Sequence, residues 1–344
     1  MQQYDTVIVG AGPAGLECAK ILAEAGQQVL VLDKNSDAIN NDSNIGQKTC
    51  AGGITEKVFD LIPDSVYEIS FKNVYVSVKD RKTKYSMQSP KIITIDRVKY
   101  SQYLIDNAKE AGVEIRTETR VSEIKEASVI ADGKEIAFKH LVGADGSLSI
   151  VRKYLGLKTE KKGIAFHYLV NESFSDLEFF LDADLFSTGY AWIFPHNEFT
   201  SIGAYADIKD MSSGILKKNF HKWLNKKEIV ISEAQFYAAQ VPYDYKGHEF
   251  NNIYLAGDAA GLASGLTAEG IYAAIISGKD IAALILDKEY RTEGIDNLLK
   301  AKKTQECFLN LFRHSGPLKN IGYNALISLS KSSITKKALA NILK

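Results

Sequence analysis

Apolar positions along the chain fall into two alternating rhythms. At the N-terminus the buried-looking run "YDTVIVG" is followed by "PAGLECAKILAEAG", whose apolar residues recur at helical spacing up to Gly26. A second short run, "QQVLVLDK", comes next, so the opening reads as strand, helix, strand with parallel strands. "DRVKYSQYLIDNAKEAG" predicts a helix capped by Asp96; "VEIRT" and "HLVGADG" predict further strands. From about residue 163 to 242 the rhythm changes. "GIAFHYLV", "LEFFLD", "GYAWIFP", "FTSIGAYA" and "EAQFYAAQV" read as strands around a single helix, "SGILKKNFHKWLNKK". "NVYVSVKD" and "KYSMQS" read as strands of the same sheet, after which "NNIYLAGDAAG" restores the first pattern and helices follow.

The expected fold is therefore α/β: a Rossmann-like nucleotide-binding domain with an inserted antiparallel β-sheet domain and a C-terminal helical segment. We expect residues 1–70, 96–160 and 245–290 to form the nucleotide-binding domain. Residues 71–95 and 161–244 would form the antiparallel-sheet substrate domain, and 291–344 the C-terminal helices.

Composition narrows the function. The 344 residues carry 42 Lys+Arg and 42 Asp+Glu, so the formal net charge is zero and no nucleic-acid footprint is expected. Cys18, Cys50 and Cys307 are scattered and odd in number, which argues against a disulfide framework and for a reducing, cytoplasmic setting. No run approaches the ~20 apolar residues of a membrane span. The six histidines show no metal-ligand spacing, so no metal is expected. Charge is uneven, however: from Lys300 onward, nine lysines and arginines stand against the single acid Glu306. We expect a terminal helix packed on the domain with a solvated basic face. The alternative is peripheral contact with an anionic surface on the inner face of the membrane.

"GAGPAG" follows a strand and opens a helix. Gly10 serves the tight turn, Gly12 lets the backbone approach a pyrophosphate, and Gly15 permits close packing at a helix N-terminus that favours phosphate. Asp33 ends the second strand, where a carboxylate can bind ribose hydroxyls. This much fits NAD or FAD. Two later stretches decide for FAD: "GADGSLSIVR", with Asp145 at a strand end before Ser149 and Arg152, and "IYLAGDAAG", with Asp258 at another. An aspartate there can hold the ribityl hydroxyls, and the helix beginning near Gly270 can support negative charge on a reduced flavin. There is no second dinucleotide fingerprint, which leaves the electron donor open between NAD(P)H and a ferredoxin-type protein.

Together these motifs resemble the FAD-dependent oxidoreductases typified by para-hydroxybenzoate hydroxylase. Within that group "KTCAGGI", "IDRVKYSQYLIDNAKEAG", "GYAWIFP" and "GDAAGLASGLTAEGIYAAIISG" are similar to the geranylgeranyl reductase family. That resemblance implies FAD as cofactor and reduction of carbon–carbon double bonds in a small apolar prenyl (isoprenoid) substrate. It implies flavin contacts at Ala14, Asp33, Arg97, Val121 (through its backbone), Asp258, Gly270 and Ile271, and at Cys50, Ala51 and Gly53 in a loop whose glycines would let backbone touch the flavin ring. Cys50 is the candidate proton donor or relay. Tyr190, Trp192 and Phe194 alternate on one strand face and would line the substrate cavity. Gly265 and Ala268 depart from the family's usual proline and glycine, and the chain leaves little room for a large C-terminal cap over the substrate. The rival functions are a flavin monooxygenase, hydroxylase- or halogenase-like, and a non-catalytic flavin-binding redox protein.

Overall fold

The computed structural model describes residues 2–37, 50–231 and 234–329. Lys48 and Thr49 of "KTCAGGI", and the basic residues beyond 329, lie outside the described residues.

Three sheets organise the chain. In the largest, eight-stranded one, Gln2–Val9 lies between Val29–Leu32 and Lys134–Gly143, all parallel, with Glu114–Arg116 beyond Val29–Leu32 and Ile253–Leu255 beyond Lys134–Gly143. These central strands are almost wholly apolar because helices cover them: Val7, Ile8, Leu30, Val31 and Leu141 are fully buried. The helix Pro13–Glu24 packs on Ile271–Leu286 and on Arg97–Glu110, the latter capped by Asp96 through the Val98 and Lys99 N–H groups. Gly278 makes the first of these contacts possible, since a Cβ there would stand 2.5 Å from the Ala14 carbonyl oxygen.

The seven-stranded sheet runs Gln235–Pro242, Lys162–Val170, Thr200–Asp207, Tyr190–Pro195, Leu177–Leu181, Asn73–Val78, Arg81–Ser86. It departs from the expected antiparallel pattern at one junction: Leu177–Leu181 and Asn73–Val78 run parallel. The reason is covalent. Residues 73–86 enter from a remote part of the chain and need no hairpin to reach the sheet. One face packs on the helix Ser213–Lys226 through Phe166, Phe180, Ile202, Phe220 and Trp223. Residues alternating with these face the other way and line a cavity.

A small three-stranded sheet, Gly53–Thr55, Ile92–Ile95 and Tyr67–Phe71, carries the glycine loop. The sequence reading did not foresee it, because strands this short carry too few residues to show a period.

The C-terminal helices pack on the domain as expected, with Lys300 and Lys303 exposed, but two of their cations turn inward. Lys302, on the helix Glu293–His314, is buried and donates to the carbonyls of Ala263 (2.6 Å) and Tyr243 (3.2 Å). Arg313 pairs with Asp207 and Asp210, both almost fully buried. These charges fasten the helix to the rest of the molecule, because a buried ammonium or guanidinium is tolerated only with acceptors around it.

Candidate functional site

The dinucleotide turn is built by exclusion. Gly10 has a φ of +106°, and a Cβ on it would stand 2.4 Å from the Ala144 carbonyl oxygen; one on Gly15 would stand 2.0 Å from the Gly10 oxygen. Both obstacles are backbone and cannot turn aside. Gly12 precedes Pro13, the first residue of the helix. Asp33, mostly buried, accepts from the Ala11 N–H (2.6 Å) and the Asn35 N–H (2.8 Å), so its carboxylate is oriented by the turn. Thr119 N–H donates to the Asp33 carbonyl (2.8 Å), which brings the start of Val121–Ile124 to the same corner.

The second motif proves to be a clamp. Asp145 accepts the Ile150 N–H (2.6 Å), and Ser149 caps the short helix through the Arg152 N–H. Arg152, buried, reaches across to the carbonyls of Asp244 (2.6 Å) and Ala259 (3.2 Å), so it holds the turn at Gly257–Ala260 that presents Asp258. Sequence reading gave this arginine no role. Burial raises the Asp145 pKa, and its Oδ1 atom has no partner.

Two further orphans bear on the cofactor. Nε and Nη1 of Arg97 are buried without acceptors, at the first turn of a helix. A guanidinium is costly in that state unless an anion completes it. Unpaired donors on Arg97, an unpaired acceptor on Asp145 and a glycine cradle that a Cβ would fill are what FAD requires, with its phosphates and its ribityl hydroxyls. The residues fit the group.

The glycine loop is packed against two rings of the chain itself. A Cβ on Gly52, whose φ is +77°, would stand 2.4 Å from His196 Cε1; one on Gly53 would stand 2.5 Å from the Phe194 ring. The chain's own rings come close to this backbone. His196 and Glu68 were not anticipated. His196 Nε2 donates to the Ala51 carbonyl (3.0 Å) while Nδ1 meets the Glu68 carboxyl, and Phe199 stacks on the ring at 4.4 Å. The Ala51–Gly52 peptide is thus held at its oxygen by His196, and its N–H points to Cys50 Sγ at 3.4 Å. A lone histidine after "YAWIFP" gives no periodic or spacing signal, which is why it escaped notice.

Above this loop is a cavity of about 780 Å³. Cys50, Ala51 and Gly53 contribute one wall; Leu266 to Ile271 another; Tyr190, Trp192 and Phe194 a third, all from one face of their strand as expected. Phe308, Leu309, Phe312 and Tyr323 close it. The C-terminal helices thus contribute these four side chains to the cavity. The aromatic wall also holds the loop of residues 263–270, which we call the flavin-side loop for the helix start expected to face the cofactor. Tyr190 donates to the Thr267 carbonyl (2.5 Å) and Tyr205 to the Gly265 carbonyl (2.7 Å); burial pushes both phenol pKa values far up, so both remain donors. Gly265 leaves room for the Tyr243 ring, 2.8 Å from where its Cβ would be. Ala268 sits at φ +58°, a left-handed conformation that suits the glycine it replaces. Glu269, accepting from Thr55 (2.8 Å), is a carboxylate on the cavity wall that sequence reading passed over. No metal-ligating cluster occurs among the described residues.

Comparison with known proteins agrees with this geometry. The FAD binding domain family matches residues 3–213. A digeranylgeranylglycerophospholipid reductase of Methanocaldococcus jannaschii is 28% identical over 80% of this chain and 75% of its own length. A geranylgeranyl diphosphate reductase of Rhodobacter capsulatus is 27% identical over 80% and 73%. The crystal structure of a geranylgeranyl bacteriochlorophyll reductase-like protein from Thermoplasma acidophilum superposes with a TM-score of 0.80, at 18% identity, over 100% of this chain and 95% of that one; at this identity the likeness speaks for the fold. Since family match, fold and orphaned polar atoms converge on one cofactor, the chain belongs to the FAD binding domain family and is an FAD-dependent oxidoreductase similar to the geranylgeranyl reductases.

Proposed function

We propose that the protein reduces carbon–carbon double bonds of a prenyl substrate held in the 780 Å³ cavity. The observation that carries this reading is the lining: Cys50, the flavin-side loop and an aromatic wall meet around one apolar space of ordinary ligand size. Gly10, Gly12, Ala14, Gly15, Asp33, Arg97, Val121, Asp145, Asp258, Gly270 and Ile271 would hold FAD, with Cys50, Ala51 and Gly53 beside it. Bound reduced flavin would supply a hydride, two electrons with one hydrogen, to one alkene carbon. Tyr190, Trp192 and Phe194 orient the chain and exclude water that would quench developing positive charge on the alkene. Cys50 Sγ–H, presented into the cavity by its loop, provides the proton to the other alkene carbon. The same division of labour supports the expected domain limits, with nucleotide-binding residues in 1–70, 96–160 and 245–290 and the sheet of 71–95 and 161–244 serving the substrate.

NAD(P)H or a ferredoxin-type protein would be the reductant. No described helix is long and apolar enough to cross a membrane; a cytoplasmic enzyme, peripheral to the membrane's inner face, suits an apolar substrate. The test is anaerobic: the purified protein, chemically reduced, is offered prenyl compounds and the products are weighed. A gain of two hydrogens per double bond is expected. Product formed only with oxygen, and carrying an oxygen atom, would transfer the assignment to a monooxygenase.

A further inference from the structure

The turn beyond the aromatic strand carries a buried histidine whose hydrogen bonds lead to the cavity thiol. His196 follows Tyr190–Pro195, and its backbone N–H donates to the Phe199 carbonyl (2.8 Å), closing the turn into Thr200–Asp207. Phe199 stacks on the imidazole, and only 2% of the histidine side chain is exposed. The ring rests directly on Gly52, where a Cβ would stand 2.4 Å from Cε1. At its other edge is Glu68, from the strand Tyr67–Phe71, with 10% of its side chain exposed.

The direction of these bonds is fixed. A carbonyl oxygen only accepts, so the proton toward Ala51 is on Nε2 (3.0 Å). Nδ1 and the Glu68 carboxyl could not meet with two lone pairs facing, so one proton lies between them. Whichever of the two holds it, the pair is neutral overall and Nε2–H remains a donor. The Ala51 carbonyl and the Gly52 N–H belong to one peptide, and that N–H points at Cys50 Sγ (3.4 Å). The Ile95 N–H holds the next carbonyl, that of Gly52 (2.9 Å), so the peptide is pinned on both sides. Glu68, His196, the peptide and the thiol thus form one chain of hydrogen bonds, whose members polarise one another. Apolar side chains in place of such a buried pair are often as stable, so what the pair adds is direction.

We propose that His196, oriented by Glu68, is a positioning residue for Cys50. By fixing the Ala51–Gly52 peptide it aims the Gly52 N–H at Sγ, where negative charge appears when the thiol gives up its proton. In that step the S–H bond breaks, its electron pair stays on sulfur as thiolate, and a C–H bond forms at the alkene carbon that does not receive the hydride. The thiolate recovers a proton from water once product has left. A donor already in place binds more strongly as its acceptor becomes an anion, so it favours the transition state over the resting thiol.

This inference rests on Cys50 being the proton donor of a prenyl reductase, and two measurements on the FAD-loaded protein keep the failures apart. The first needs no substrate: alkylation of Cys50 by iodoacetamide at pH 7, a reaction of the thiolate, read by mass spectrometry of the peptide that contains it. His196→Leu should slow it about ten-fold, the scale of one hydrogen bond to a charged group, and His196→Gln, which keeps an N–H donor toward Ala51, should stay within about three-fold of wild type. Should His196→Leu lose its flavin spectrum, Glu68→Leu, which frees the ring without touching the loop, takes its place with the same expectation. An unchanged or faster rate in the leucine variant, or no alkylation of wild-type Cys50, would overturn the inference. The second is single-turnover reduction of geranylgeraniol by pre-reduced enzyme. The leucine variant should be about ten-fold slower than wild type, yet lose nothing further in a Cys50→Ala background, because its effect passes through the thiol. An equal loss in both backgrounds would overturn the inference and leave the Cys50 role intact. Cys50→Ala as fast as wild type would overturn both. The expected alkylation rates without reduction by wild type would overturn the prenyl reading and leave the hold of His196 on the thiol in place.

Discussion

The two ends of the site differ in what they are made of. At the dinucleotide turn the determinants are backbone: Gly10 and Gly15 are pressed against carbonyl oxygens, and Asp33 is oriented by N–H groups. At the cavity loop they are side chains: Gly52 stands against His196 and Gly53 against Phe194. Backbone cannot give way and a ring can turn. The first end is therefore intolerant and generic; the second is tolerant, and holds whatever distinguishes this enzyme from other flavoproteins.

The largest expected effect tests that contrast directly. Gly15→Ala places a methyl 2.0 Å from the Gly10 oxygen. It should abolish flavin binding, leaving the protein colourless or unfolded. Gly53→Ala, although its Cβ would stand 2.5 Å from a ring carbon, should purify yellow, because Phe194 can rotate into the cavity space. Equal flavin content in the two variants, measured by absorbance, would remove the distinction.

Next is Cys50→Ser. The hydroxyl fits the same space, so FAD content should remain near wild type. Single-turnover product formation by pre-reduced enzyme should fall by roughly 10²-fold, the scale of a positioned acid–base group. A rate within a few-fold of wild type would leave the loop a structural role only.

A smaller effect belongs to Lys302, which ties its helix to the carbonyls of Tyr243 and Ala263. Burial lowers its pKa from 10.5 to about 8. Between these values the unfolded chain binds a proton that the folded protein has released. Its contribution to stability therefore rises with pH across that window and is flat below about pH 8. The Tm of wild type minus that of Lys302→Met should accordingly increase by a few degrees from pH 8 to 10. A constant difference would mean that the ammonium is not desolvated.

The smallest is Ala268→Gly. Relieving a left-handed alanine should raise stability by about 1 kcal/mol, read from denaturant unfolding. No change, or a loss, would show the loop to be unstrained.

The same contrast explains how much could be read from the sequence. The strand–turn–helix with its glycines and Asp33 was legible because a backbone requirement leaves few residue choices. The alternation of Tyr190, Trp192 and Phe194 was legible as a shared face for the same geometric reason. The partners Glu68, His196 and Arg152 were not, since each acts across more than ninety residues of chain and no local period announces such a contact. The parallel junction at Asn73–Val78 was hidden likewise: strand character is local, whereas strand direction depends on the route between strands.

The helix Glu293–His314 has a consequence for binding. Near its middle, Lys302 and Gln305 grip the flavin-side loop at Ala263 and Ser264; one and two turns later, Phe308, Leu309 and Phe312 line the cavity. A ligand in the cavity and a flavin against the loop thus press on one body. Whatever free energy the first invests in setting that helix must return, equal in size, as a change in affinity for the second. With the substrate in this cavity and flavin at this loop, as proposed, occupancy of the one and retention of the other would be a single linked equilibrium.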